Sequence, residues 1–140
     1  MIPKFRTWNS ETKEIEVFKT YEEISELFLA LSADDGFYSI MQSTGLFDKN
    51  GKEIFEGDIL KIHGIRMIVK FGSYRYLEPS NIGCQSFAVV YDGLGFYVKT
   101  FNVIALDDIS PFEPETLKES VVIGNRFENP EILEDKEVNN

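Results

Sequence analysis

The amino-acid sequence predicts a small, mainly β domain, either an SH3-like barrel or another barrel-like antiparallel sheet. Short segments of alternating apolar and polar residues recur at spacings of roughly 8–12 residues, and glycine-containing turns separate them. An N-terminal β-hairpin and one amphipathic helix over residues 21–32 precede most of these segments. A length of 140 residues is typical of a single domain. We place that domain at residues 1–130 and expect residues 131–140 to form a frayed tail.

Local patterns predict the N-terminal hairpin and the helix. Residues 4–8 and 14–18 form two short strands with a polar connection between them. Thr20 and Glu23 form a capping box, in which each side chain accepts a hydrogen bond from the backbone N–H of the other residue. The apolar side chains of the helix recur at i, i+3, i+4 and i+7, which places one face on the core; they are Ile24, Leu27, Phe28 and Leu31.

The stretch from residue 41 to residue 59 organises the middle of the chain. Asp48, Asn50 and Gly51 form a turn signal between two apolar-flanked segments, and we expect positive φ at both Asn50 and Gly51. A second turn follows at residues 56–58. These residue patterns indicate turns, and none of them is a catalytic motif.

The remaining predicted elements are short strands with turns and loops between them. In chain order they are a strand at 37–41, a hairpin at 46–55, strands at 59–62 and 65–71 joined at His63–Gly64, a polar loop at 72–83, strands at 84–91 and 96–101 around a turn at 92–95, an irregular acidic connection at 107–119, and a last strand at 120–127 with Gly124 as a bulge or turn. We expect the helix and the N-terminal hairpin to pack beside a barrel made from these strands.

Three blocks of the sequence resemble one protein family. Residues 41–60, MQSTGLFDKNGKEIFEGDIL, resemble the signature of the YopX family of small phage and prophage proteins. Residues 4–8, KFRTW, and 122–130, VIGNRFENP, resemble the opening and closing motifs of the same family. The blocks occur in the order of the family and span nearly the whole chain. The resemblance implies a phage or prophage origin, but it carries no activity, cofactor or site.

The charge balance excludes some partners and favours others. The chain has 14 Lys and Arg against 24 Asp and Glu, a net charge of −10. Because phosphate backbones are bound chiefly by cations, this balance argues against ordinary nucleic-acid binding and against anionic membranes. The single cysteine, Cys84, cannot form an internal disulfide, and no apolar run approaches the ~20 residues of a membrane span. We expect a protein of the bacterial cytoplasm.

Candidate catalytic and metal sites have simpler structural explanations. His63 is the only histidine and Cys84 the only cysteine, so the usual zinc ligands are lacking, and an acid–base pair would need these two distant residues to converge. Some acidic residues superficially suggest a calcium loop (Asp48, Asn50, Glu53) or a glycosidase pair (Glu53, Glu56, Asp58). Turn formation and solvated turn charges explain both groups better. We therefore expect no enzyme activity, no cofactor, no metal and no small-molecule substrate.

These observations favour a non-enzymatic accessory protein that binds protein, either as a homo-oligomer or by contacting a host factor. Because rigid scaffolds commonly carry binding residues on loops, we expect partner contact in the loops 72–83 and 107–119 and next to them. The candidate contact residues are Lys70, Tyr74, Arg75, Tyr76 and Phe112. One alternative is a nucleic-acid-associated module that uses residues 70–76, where cations and aromatics alternate. Another is an acidic decoy that imitates the charge of DNA.

Overall fold

The computed structural model describes residues 4–32, 36–79, 87–101, 109–111 and 114–134. The described chain forms two antiparallel sheets and three helices. The strands are β1 Phe5–Asn9, β2 Glu14–Phe18, β3 Tyr38–Phe47, β4 Glu53–Phe55, β5 Asp58–Ile62, β6 Ile65–Pro79, β7 Phe87–Thr100, β8 Ile109–Pro111 and β9 Val121–Asn125. The helices are α1 Tyr21–Ser32, α2 Pro114–Leu117 and α3 Pro130–Glu134. Of these three helices, none is long and apolar enough to cross a membrane.

The two sheets confirm the predicted mainly β fold. One is four-stranded in the order β2-β1-β3-β4, and the other is five-stranded in the order β8-β7-β6-β5-β9. The five-stranded sheet curls into a half barrel, which is the barrel-like antiparallel sheet that the strand pattern predicts. Its core cluster also receives one side chain from β4 and one from α2; the cluster consists of Ile54, Leu60, Met67, Val69, Val98 and Leu117. The β3–β4 hairpin thus helps to fill the half barrel.

The N-terminal elements lie where the sequence predicts them. β1 and β2 form an antiparallel hairpin, and β1 also pairs with β3. Helix α1 spans the predicted 21–32, and the capping box is present. The amide of Glu23 donates to Oγ1 of Thr20 at 3.1 Å, and the amide of Thr20 donates to Oε1 of Glu23 at 3.3 Å. The amide of Lys19 also donates to Oε1 of Glu23, at 2.8 Å. The bonds from the Lys19 and Thr20 amides to this carboxylate lower the pKa of Glu23.

One residue of the helix does not face the core as predicted. Leu27 is 3% exposed and Ile24 is also buried, but Phe28 is 52% exposed. The ring of Phe28 contacts the ring of Phe5 edge-on, with the centroids 6.0 Å apart. Helix α1 therefore packs on the sheet mainly through Ile24 and Leu27, and Phe28 lies at the margin of that contact.

The predicted turns between β3 and β4 and between β5 and β6 are confirmed, with one correction. Gly51 has φ of +83° and its amide donates to the carbonyl of Asp48 at 3.0 Å, which closes the turn between β3 and β4. Asn50 does not have positive φ, so the prediction for that residue is wrong. The turn places only its last residue in the left-handed region, as in a type I turn followed by glycine. Between β5 and β6, His63 and Gly64 have φ of 50° and 81°, which identifies a two-residue type I′ turn.

The predicted loop at 72–83 and the predicted turn at 92–95 are wrong for the residues described. β6 and β7 are long strands that pair continuously, with a register shift after Tyr76. Gly72 lies opposite Gly95, so two residues that each suggested a turn form a cross-strand pair. Since glycine tolerates both extended and turn conformations, the two cases look alike in a sequence. Residues 80–86, which include Cys84, lie outside the described residues.

The C-terminal elements follow the prediction in part. Within the irregular 107–119 segment, the described residues form strand β8 and the single helical turn α2. β9 pairs with β5, and Ile123 is the extra residue between the pairs Leu60–Val122 and Ile59–Gly124. The strand is therefore bulged next to Gly124, whereas Gly124 itself, the predicted bulge or turn residue, is paired. Helix α3 follows and includes residues 131–134 of the predicted tail, whereas residues 135–140 lie outside the described part.

Candidate functional site

A buried ion pair joins the two sheets. Arg6 of β1 donates from Nη2 to Oδ1 of Asp58 of β5 over 2.5 Å, and both side chains are buried. The guanidinium also lies 4.6 Å from the centre of the Phe55 ring, and its Nε lies 3.4 Å from Sδ of Met41. Because removing one partner of such a pair leaves an uncompensated buried charge, each member holds the other in place.

Asp58 is a structural residue of this junction. Its second oxygen, Oδ2, accepts the backbone N–H of Phe55 at 2.8 Å, which closes the turn between β4 and β5. Burial raises the pKa of Asp58, and the opposing effects of Arg6 and of the Phe55 amide only partly offset it. The prediction that Asp58 is a solvated turn charge is therefore wrong, since the side chain is 1% exposed.

A second carboxylate ties the β3–β4 turn to the half barrel. Oδ1 of Asp48 accepts the amides of Asn50 and Lys52 at 2.9 and 2.8 Å within the turn. Oδ2 accepts the amide of Val122 of β9 at 2.9 Å. Burial alone would raise the pKa of Asp48, but the three backbone hydrogen bonds outweigh it and the pKa is lowered. Both carboxylate oxygens of Asp48 accept backbone amides. Turn formation therefore explains this residue, and its contacts give no support to the comparison with a calcium loop.

The turn after β9 completes the junction. Oδ1 of Asn125 accepts the amides of Phe127 and Glu128, at 2.9 and 2.8 Å, and so shapes the turn. The ring of Phe127 stacks on Trp8 of β1, with centroids 5.8 Å apart and planes 17° apart. The amide of Arg126 donates to the carbonyl of Gly57 at 2.9 Å. The three sequence blocks at 4–8, 41–60 and 122–130 therefore meet at one buried junction between the sheets.

The four predicted contact residues that the structure describes lie on one strand and not on a loop. Lys70, Tyr74 and Arg75 belong to β6, where the alternation of a strand places Lys70 and Tyr74 on one face and Arg75 on the other. Tyr76 also belongs to β6 and lies opposite Tyr91 in the backbone register, but its side chain lies outside the described part. Phe112 is not among the described residues. The structure thus brings together only part of the predicted set.

Two aromatic pairs, one on each face of the β6–β7 ribbon, were not predicted from the sequence. Tyr74 stacks on Tyr97, with ring centroids 4.8 Å apart and planes at 28°. Between the backbones of these tyrosines lies the pair Gly72–Gly95, whose missing side chains leave room for the rings. On the other face Phe71 lies directly opposite Phe96, and their rings meet edge-on at 4.9 Å. Alternation within β6 could have indicated the two faces, but the partner of each ring depends on register.

A shallow pocket of about 180 Å³ lies beside the tyrosine pair. Its lining combines two cations, Lys70 and Arg126, with one carboxylate, Glu56, and the aromatic rings of Phe71 and Tyr97. Lys70 lies opposite Tyr97 in the β6–β7 register. Arg126 stands over the ring of Phe127, 4.3 Å from its centre. The pocket offers positive charge next to aromatic faces, a combination that suits an anionic group attached to a planar one.

A comparison with known protein families shows to which family the chain belongs. A sequence model of the family described as YopX protein matches residues 4–134, nearly the whole chain. The chain belongs to the YopX family. The three blocks that resemble the family in the sequence are those that meet at the junction between the sheets.

Comparisons with individual proteins add little to this YopX-family assignment. The crystal structure of protein EF1440 from Enterococcus faecalis is 24% identical, covers 95% of this chain and 99% of its own, and superposes with a TM-score of 0.45. No curated protein matches this chain.

The residues weighed for catalysis or metal binding are placed as follows in this YopX-family chain. His63 lies in the β5–β6 turn, and Cys84 lies outside the described residues. Glu53 pairs with Lys4 at 3.4 Å and accepts the hydroxyl of Ser43 in a short hydrogen bond. Within the described ranges, no three His, Cys, Asp or Glu side chains form a group that could hold a metal ion.

Proposed function

We propose that this YopX-family chain is a non-enzymatic accessory protein of a phage or prophage, acting in the bacterial cytoplasm by protein–protein contact, with a second copy of itself as the first partner. The supporting observation is a row of apolar side chains that leaves the core along β6 and β7. Val69 and Val98 form a buried cross-strand pair, and the next pair on the same face is Phe71–Phe96. Phe71 is 43% exposed, and Leu94, two residues beyond Phe96, is 64% exposed.

The exposed part of this row favours self-association. Large apolar side chains that stay in water forgo about 25 cal/mol for each Å² that could be buried. In a two-fold dimer the same patch occurs on both subunits and can pack against itself. A row that includes Phe71 and Leu94 on a regular β-ribbon supplies such a self-complementary surface, with aromatic anchors of the kind that dominate protein interfaces.

Sedimentation of the wild type and two variants tests this proposal. The wild-type protein should sediment with a mass above that of one chain, and Leu94→Lys should reduce the mass to that of a monomer. Leu29→Lys is the matched control, because Leu29 is 72% exposed but lies on α1. A monomeric wild type at all accessible concentrations, or equal behaviour of both lysine variants, would contradict self-association through β6 and β7.

The nucleic-acid alternative is supported by the pocket that contains Lys70, Arg126 and Tyr97. Binding to single- or double-stranded DNA or RNA should then be measurable at low salt and should weaken steeply as salt rises. Micromolar or tighter binding that disappears in the Lys70→Ala/Arg126→Ala double variant would overturn the protein-partner proposal. Absence of binding at low salt would favour it, and competition with DNA for a DNA-binding host protein would instead support the acidic-decoy alternative.

A further inference from the structure

A groove separates helix α1 from the face of the four-stranded sheet on which the helix packs. It has a volume of about 190 Å³, and its apolar lining includes Phe18, Leu27 and Leu31, together with the ring of Tyr38. Small-molecule sites usually measure ~300–1,000 Å³, so this groove is better matched to one or two side chains of a docked polypeptide. Ile40, whose neighbour in the register is Thr7 of β1, extends the apolar face and is 38% exposed.

Carboxylates flank this apolar lining. Glu16 of β2 and Glu26 of α1 both line the groove and are exposed. Together β2 and α1 contain five glutamates and no lysine or arginine; the glutamates are Glu14, Glu16, Glu22, Glu23 and Glu26. Neither Glu16 nor Glu26 has an ion-pair partner among the residues that the structure describes. The potential in the groove is therefore negative, which favours a cationic ligand.

A buried hydroxyl gives an independent indication of a ligand. Thr7 lies beside Glu16 in the β1–β2 register, lines the groove and is only 2% exposed. Among the hydrogen bonds between described residues, none involves its hydroxyl. Buried hydroxyl groups in proteins are normally hydrogen-bonded, because an unmade bond costs free energy. A backbone carbonyl or amide of a docked segment could supply the missing bond.

We propose that this groove binds a basic, apolar segment of another protein. An apolar side chain of the segment inserts over Leu27 and Leu31, a lysine or arginine faces Glu16 and Glu26, and a backbone group meets Thr7. This occupant differs from that of the apolar row on β6 and β7, because exposed carboxylates flank the groove whereas the row presents apolar side chains. The inference does not depend on self-association through β6 and β7, because the two surfaces lie on different sheets.

The test uses defined peptides and four protein variants. The probe is a short fluorescent peptide of alternating leucine and lysine, and the reference peptide carries glutamate in place of lysine. Ala30→Trp fills the groove without changing its charge, because Ala30 lines it and is exposed. Glu16→Gln/Glu26→Gln removes two charges from the groove, and Glu11→Gln/Glu119→Gln removes two exposed charges elsewhere. Leu94→Lys separates this test from the state of the oligomer.

The proposal predicts saturable binding of the lysine peptide at physiological ionic strength and no binding of the glutamate peptide. Ala30→Trp and Glu16→Gln/Glu26→Gln should each weaken binding by about 10-fold or more, and Glu11→Gln/Glu119→Gln and Leu94→Lys should not. Amide shifts in NMR spectra should map to Thr7, Glu16 and Leu27. Equal losses of affinity in both glutamine double variants would show non-specific attraction to an acidic protein and would overturn the proposal. Absence of binding would also overturn it, and so would amide shifts that map to another surface.

Discussion

Asp48 is the residue whose removal should best reveal how the two sheets are joined. Replacing it with alanine removes three hydrogen bonds, two to amides of its own turn and one to Val122 of β9. The turn amides of Asn50 and Lys52 belong to exposed residues, so water can replace the carboxylate there at a cost of about 0.5–1 kcal/mol each. The amide of Val122 is partly buried and should cost about 1–2 kcal/mol. We therefore expect Asp48→Ala to lower the free energy of unfolding by about 2–4 kcal/mol.

Chemical denaturation of two variants separates the turn from the bridge between the sheets. In Asp48→Asn one amide oxygen can still accept the bonds from Asn50 and Lys52, but the NH₂ group faces the Val122 amide as a second donor. The asparagine variant should therefore lose the bridge and keep the turn, with a stability between those of the wild type and Asp48→Ala. Glu11→Gln is the control for the loss of one negative charge. If Asp48→Ala unfolds at the same denaturant concentration as the wild type, the bridge contributes nothing to the fold.

The pH dependence provides a second check on Asp48. Its pKa is lowered in the folded protein, so its contribution to stability is fully present above the ordinary value of about 3.9 and is lost as the pH falls through the folded pKa. The stability difference between the wild type and Asp48→Asn should therefore shrink in acid. Asp58 acts in the opposite direction, because a raised pKa means that its ionisation costs stability as the pH rises from about 3.9 through the folded value. A difference that stays constant down to strongly acidic pH would contradict the role given to the Asp48 carboxylate.

Three further substitutions test other parts of the fold by thermal or chemical unfolding. Leu27→Ala should cost about 2–5 kcal/mol, and Phe28→Ala should cost clearly less because half of its surface is already exposed; equal losses would show that both face the core. Gly51→Val should cost at least about 1 kcal/mol, since φ of +83° is unfavourable for a β-branched residue, and an unchanged melting temperature would remove this turn from its organising role. Gly124→Ala should also destabilise, because its Cβ would lie 2.5 Å from Oδ1 of Asn129, and a neutral result would mean that the turn after β9 yields easily.

Local patterns predicted those elements whose signals are contained within a few residues. The capping box at Thr20 and Glu23 fixed the start of α1, and the dipeptide His63–Gly64 indicated the type I′ turn between β5 and β6. Each of these signals depends on backbone conformations or hydrogen bonds between near neighbours, which the residue types themselves determine. Phe28 follows Leu27 directly and lies four residues after Ile24, so helical spacing places it at the edge of the apolar face and does not show that its ring is half exposed.

Long-range features were missed because their causes lie in residues far apart in the chain. The pairing of Gly72 with Gly95 turned two apparent turns into one continuous ribbon, and no local rule fixes that register. The Arg6–Asp58 pair joins residues 52 positions apart, so Asp58 looked like an ordinary turn carboxylate until the two sheets were placed. The same lack of register information affected the candidate surface. The sequence predicted Lys70 and Tyr74 as contact residues, but it gave no indication that Tyr97 and Arg126 lie beside Lys70.

The location of the family motifs explains why the YopX assignment identifies a fold without identifying a function. Arg6, Asp48, Asp58 and Phe127 are engaged in contacts at the junction between the sheets, and none of them lines the groove beside α1 or the apolar row on β6 and β7. A motif that joins sheets constrains which residues fit there whatever the protein binds. The surfaces on which the proposals rest are built from Phe71 and Leu94 on one sheet and from Thr7, Glu16 and Glu26 at the other, and of these residues only Thr7 belongs to a family motif. Function in this chain should therefore be sought at those two surfaces, through variants that leave the junction intact.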